Sequence, residues 1–177
     1  MLVLFIVVFS SISYANPVIN EVMYAPERCS DKYCEWIELY NDGNSSIDLS
    51  NFLFCGERLL QGYIDAASTE KTKPTINAAG TLLSPGQYAL ITDGGTGTSV
   101  YSNFTIGENS LALHTPSSST CGGLSSNGTI SINSSGSLLQ SVYYSSSQGA
   151  NGNDHSLEWS GSYWGESLLV GGTPGAS

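Results

Sequence analysis

Short runs of β-branched and aromatic residues recur along this chain between clusters of Gly, Pro, Asn and Ser, and no segment carries the 3.6-residue apolar period of an amphipathic helix. That pattern restricts the fold to an all-β sandwich or barrel. Strands are predicted at 18–24, 35–41, 51–54, 58–64, 87–92, 110–115, 128–133, 137–144 and 155–159, with turns at NDGN, SPGQ, TDGGTG, SSNGT and NSSGS. Residues 65–80 read as a long loop with one short strand at most.

Period-2 alternation assigns faces. In EWIELYN, Ile37 and Leu39 share one side and are expected to face an inter-sheet core, with Trp36, Glu38 and Tyr40 on the other. Ile130 and Ile132 make a matching inward pair. In YALIT both Leu90 on one side and Ala89 and Ile91 on the other are apolar, so both faces of this strand should be at least half buried, as near the centre of a sandwich.

The 177 residues suffice for one domain of ordinary size plus a processing segment. Five Lys and Arg against fifteen Asp and Glu give a formal charge of -10, from a shortage of bases more than from acidic runs. Nucleic-acid phosphates are held by Lys and Arg, so no nucleic-acid partner is expected. Residues 1–15, MLVLFIVVFSSISYA, read as a signal peptide, with Ser13 and Ala15 where a signal peptidase reads and cleavage expected after Ala15. No Lys or Arg precedes the apolar run, which is also far short of the roughly 18 to 20 residues that span a bilayer. A mature domain of residues 16–177, secreted or associated with the cell surface and without a membrane span, follows as the expectation.

Four cysteines, Cys29, Cys34, Cys55 and Cys121, agree with an oxidising compartment. Their spacing fits no zinc pattern, since no second close pair follows Cys29 and Cys34 and both histidines are remote in sequence. Four cysteines permit three pairings. Local closure of CSDKYC between Cys29 and Cys34, with Cys55 joined to Cys121, is preferred because it needs the least rearrangement between strands. Asn44, Asn103, Asn127 and Asn133 begin Asn-x-Ser/Thr glycosylation sequences in polar segments that read as loops or edges.

Several segments match one family pattern in order: PVINEVMYAP, EWIELYNDGNSSIDLSNFLF, LSPGQYALIT, LSSNGTISINSSGSLLQSVYY and SLEWSGSYWGESLLVGGTPGAS. Together they resemble the lamin-tail domain, the immunoglobulin-like module that ends nuclear lamins and also occurs in exported bacterial and archaeal proteins. The resemblance runs from about Pro17 to the C-terminus and implies an immunoglobulin-like β-sandwich. Within it, INEVMY is expected as an edge or first strand paired with EWIELYN, NDGN as a reversal with positive φ, and Pro85–Gly86 as a turn into the central strand. Phe52 stands where the family usually has Trp. The cysteines and the segment from Cys55 to Gly80 are additions to the minimal pattern, and the shortage of bases argues against the DNA contacts of nuclear lamins.

Two groups of residues invite a chemical reading. Glu35 and Glu38, three apart in a strand, point to opposite faces and cannot share a substrate, whereas Glu21 is able to approach one of them across the sheet. Glu38 is expected instead to accept internal hydrogen bonds that fix a strand edge. GANGNDHSLEW offers Asn151, Asn153 and Asp154, too few carboxylates for a calcium loop, and reads as a polar turn before a strand. No Gly-x-Ser-x-Gly elbow is present, no catalytic residue is assigned, and no metal or cofactor is expected. Among the many aromatics, Tyr163 and Trp164 in GSYWGES, read as a loop closing one end of the sandwich, are the first candidates for a binding surface. The resulting expectation is an exported, non-catalytic binding or structural module at the cell surface, recognising a protein or polysaccharide. The competing reading is a metal-assisted hydrolase using Glu21, Glu38 and Asp154.

Overall fold

A computed structural model describes residues 15–29, 31–64, 70–71, 80–95 and 100–176. All but the last residue of the predicted signal peptide and most of the loop predicted at 65–80 therefore lie outside the described residues. In chain order the strands are β1 (Val18–Met23), β2 (Trp36–Tyr40), β3 (Ile47–Asp48), β4 (Phe52–Phe54), β5 (Glu57–Arg58), β6 (Leu60–Gln61), β7 (Tyr63–Ile64) and β8 (Glu70–Lys71). They continue with β9 (Leu82–Leu83), β10 (Tyr88–Thr92), β11 (Leu111–His114), β12 (Asn127–Ser134), β13 (Ser137–Ser145), β14 (Leu157–Trp159) and β15 (Trp164–Glu166). Two single-turn helices, α1 (Asp31–Cys34) and α2 (Val100–Asn103), interrupt them.

A seven-stranded sheet in the order β15-β14-β1-β2-β10-β11-β6 faces a four-stranded sheet in the order β13-β12-β4-β5. This is the all-β, immunoglobulin-like sandwich the sequence predicts. Ile19, Ile37, Leu39, Ala89, Ile91, Leu111 and Leu113 of the large sheet meet Phe54, Ile130, Ile132 and Tyr144 of the small one in a single apolar core. The face assignments for Ile37, Leu39, Ile130 and Ile132 hold.

The other face of the large sheet is also covered. Met23, Trp36, Leu90 and Ala112 form a second core with Val100 and Tyr101 of α2, Phe104 and Cys34. Trp36 and Phe104 meet edge to face at 5.9 Å. The segment that carries α2 joins β10 to β11, a parallel pair in a sheet whose other pairings are antiparallel. Such a pair needs a crossover, and this one supplies the cover.

Four sequence expectations change. Residues 58–64 do not form one strand: β5 belongs to the small sheet and β6 to the large one, with Leu59 buried where the chain crosses between them. GSYWGES is not only a loop, because Trp164–Glu166 pairs with β14 as the edge of the large sheet. INEVMY is the first strand and pairs with EWIELYN as expected, but the strand edge expected at Glu38 is not one, since β1 lies between β14 and β2 and β2 is likewise interior. Gly43 does not supply a positive φ. There the Asn41 side chain accepts the Gly43 N–H at 3.0 Å.

Both preferred disulfides are present, Cys29–Cys34 with Cα atoms 6.0 Å apart and Cys55–Cys121 with Cα atoms 5.1 Å apart. The second ties the end of β4 to the turn that leads toward β12.

Candidate functional site

Glu158, Glu21 and Glu38 stand side by side on β14, β1 and β2, because Glu21 is the register partner of both others. They lie on the face of Trp36 and Leu90, away from the inter-sheet core. The final residues cross this row as a strap. Thr173 donates its N–H to Glu21 Oε1 at 2.9 Å and its hydroxyl to Glu21 Oε2 at 3.2 Å, and the Ser156 hydroxyl also donates to Glu21. Glu38 receives the Asn20 side-chain amide at 2.7 Å and the Gly175 N–H. A further bond, Gly107 N–H to Pro174 C=O at 2.8 Å, fastens the strap to the far side.

Burial pushes the Glu21 carboxyl up to about 7, although the bonds from Ser156 and Thr173 oppose it. Burial, followed by the neighbouring Glu21 charge, raises Glu38 well above the usual carboxylate range. Both carboxyls are held neutral to higher pH than an exposed glutamate, and each is engaged by internal donors. Glu35 points the other way, as expected, and accepts the Leu124 N–H at 3.2 Å.

Asp154 does not join this row. Its Oδ1 accepts the N–H groups of Glu27 at 2.7 Å and Arg28 at 2.9 Å and lies 3.4 Å from Arg28 Nε. Burial acts to raise its pKa, but those donors and the Arg28 charge outweigh it and the net direction is down. Among the described residues no three His, Cys, Asp or Glu side chains converge as metal ligands. The hydrolase trio of Glu21, Glu38 and Asp154 is thus not assembled. GANGNDHSLEW is a polar turn leading into β14, as expected, where Asn153 accepts the His155 N–H at 3.1 Å and donates to Glu166 of β15 at 3.0 Å.

The two aromatic candidates part company. Tyr163 is 66% exposed, while Trp164 is 6% exposed, belongs to the inter-sheet core and meets Trp159 at 5.4 Å. Trp164 is therefore a packing residue, and the exposed surface belongs to Tyr163. Two shallow concavities of about 200 and 220 Å³ flank Glu158 and share it and Trp159 as walls. The first is completed by Ser160, Tyr163, Gly165 and Glu166, the second by Asn20 and Thr173. Gly165 is the register partner of Glu158, so the space above the β14–β15 ladder is left open beside the tyrosine ring. Burial also raises the pKa of Glu158, against a hydrogen bond from Thr173.

Sequence reasoning missed Glu158 as a neighbour of Tyr163, and Asn20 and Thr173 as the walls of the concavity on the other side of Glu158. One signal was available: LEW and WGE flank SGSY, the spacing of a short hairpin. Beyond β15, Leu168, Leu169 and Val170 form an exposed aliphatic turn, pinned by bonds from the Ser167 hydroxyl and the Gly172 N–H to the Leu169 carbonyl at 2.8 and 3.0 Å. Of the glycosylation candidates, Asn44, Asn103 and Asn127 are exposed and Asn133 is half-buried.

No curated protein and no solved structure matches the chain. The family model of the Lamin Tail Domain matches residues 10–146, which leaves β14, β15 and the strap outside the matched span. With β1 to β13 inside that span and an immunoglobulin-like sandwich built from them, the chain belongs to the lamin tail domain family.

Proposed function

We propose that this protein is an exported, non-catalytic recognition module of the lamin-tail type, held at the cell surface, and that it takes a glycan on the β14–β15 edge. The observation that carries the reading is the exposed Tyr163 ring beside Gly165, over a concavity walled by Glu158 and Trp159. Aromatic rings offer apolar faces to the C–H surface of a sugar, and carboxylates accept its hydroxyls. The shortage of Lys and Arg favours a neutral polymer over an anionic one. Export is supported by the apolar opening residues and by two disulfides, which persist in oxidising compartments. Among the described residues no helix is long and apolar enough to cross a membrane.

The test is co-sedimentation of the purified protein with isolated cell envelopes and with neutral polysaccharides extracted from them. Saturable retention that survives moderate salt and drops on Tyr163→Ala is the expected result. No retention, or equal retention of the variant, overturns the assignment. Retention by envelopes stripped of glycan transfers it to a protein partner.

A further inference from the structure

The two main sheets end in four edge strands, and three are short. β15 has three residues and ends in Glu166, β6 has two, and β5 has two, both charged. β13 is different: nine residues, SLLQSVYYS, with β12 as its strand neighbour on one side and, among the described residues, no strand on the other. It contains neither a charged residue nor a proline, the devices that usually blunt an edge. Leu138, Leu139 and Tyr143 on it are exposed.

Register fixes which backbone groups face outward. Ser146 N–H donates to the Ser126 carbonyl at 2.7 Å, and the antiparallel register continues through Tyr144–Gly128, Val142–Ile130 and Gln140–Ile132. Residues 140, 142 and 144 therefore exchange bonds with β12, and Ser141 and Tyr143 turn their N–H and C=O groups to the open side. Ser145 is already occupied there, since its N–H donates to Gln148 Oε1 at 2.7 Å. A single irregularity, between Ile132 and Asn133, sits at the other end of the ladder.

We infer that β13 is a homodimer edge on which a second copy of this chain adds its own β13 antiparallel, about a two-fold axis at Val142. In that arrangement Ser141 of each copy faces Tyr143 of the other, and the outward groups of both residues are satisfied reciprocally. The two four-stranded sheets become one continuous sheet.

Charge selects a second copy as the occupant. Two chains of formal charge -10 repel over most of their surfaces, yet residues 115–153 carry no Asp, Glu, Lys or Arg. The β12–β13 hairpin lies wholly inside that stretch, so two copies meet along it without juxtaposing charges. A charged peptide finds no complement on this strand. A second β13 also arrives already extended, without the ordering cost of a flexible peptide. This inference goes beyond glycan recognition and does not depend on it, because β13 and the β14–β15 edge are different edges of different sheets.

Sedimentation velocity over a wide concentration range tests the dimer, with hydrogen exchange at both extremes. A reversible dimer is expected, its dissociation constant nearly independent of salt, with the Ser141 and Tyr143 amides protected only at high concentration. Tyr143→Pro removes an outward N–H that faces solvent in the monomer, and edge strands tolerate such a proline. It should raise the dissociation constant by about tenfold or more. Tyr143→Ala, which keeps the N–H, should retain the dimer. A protein that stays monomeric at every concentration, or a dimer that leaves both amides unprotected, overturns the inference without reference to any variant's folding.

Discussion

Glu21 and Glu38 are register partners on adjacent strands of the large sheet, and both side chains are fully buried. Such a pair survives because five donors from Asn20, Ser156, Thr173 and Gly175 converge on it, three of them from the C-terminal strap. The strap and the carboxyl pair are one structural unit.

This unit gives stability a definite pH dependence. A folded-state pKa raised above the ordinary value means that the native protein binds the proton more tightly than the unfolded chain. The contribution is thus fully present below about 4.5 and is lost as pH rises through about 7. For Glu21 alone the loss is of order 3 kcal/mol, and Glu38 acts in the same direction. The lowered groups Asp48, Asp154 and Glu166 lose their contributions only below the ordinary carboxylate range. Urea unfolding at pH 5 and pH 8 should show the wild type more stable at pH 5 and a smaller difference for Glu21→Gln. Equal stability at the two pH values in the wild type would contradict the assignment.

Gly172 carries the strap past Glu21 with φ +67°, and a Cβ there would overlap Glu21 Oε1 and approach Ser156 Oγ to 2.5 Å. Left-handed backbone and overlap combine, so Gly172→Ala should cost about 2–4 kcal/mol. Thr173→Val, which removes the hydroxyl bond to Glu21 and keeps the backbone N–H, should cost about 1 kcal/mol. Thermal unfolding ranks the two variants, and the opposite order would refute this account of the strap.

The two disulfides should contribute unequally. Cys55–Cys121 spans a sequence separation of 66 and Cys29–Cys34 one of 5. Loop-closure entropy gives about 4 kcal/mol for the first and about 2 kcal/mol for the second. Replacing each pair by alanine and measuring denaturation midpoints checks the order.

Adjacent aromatics should separate folding from binding. Trp164→Ala empties part of the inter-sheet core and should cost about 3–5 kcal/mol. Tyr163→Ala lies on the surface and should change stability by less than about 0.5 kcal/mol. If Tyr163→Ala unfolds the protein as readily as Trp164→Ala, Tyr163 is structural and its place in the proposed site falls.

Local chemistry alone determined much of this protein. Alternation in EWIELYN and TISIN set which residues enter the core, because successive side chains of a strand must take opposite faces. The placing of the cysteines indicated both disulfides, and segments in order pointed to the family, whose model matches the first four of the five. What crosses between distant segments was decided only by tertiary structure. RLLQGYI changes sheets at the buried Leu59, where a strand-like composition alone reads as continuous. Glu21 and Glu38, 17 positions apart, and a strap from the end of the chain became one buried cluster through pairing register and chain path. Tyr163 and Trp164 are neighbours with the same promise in sequence. The hairpin made by β14 and β15 left Tyr163 exposed in its turn and set Trp164, the first residue of β15, into the core opposite Trp159.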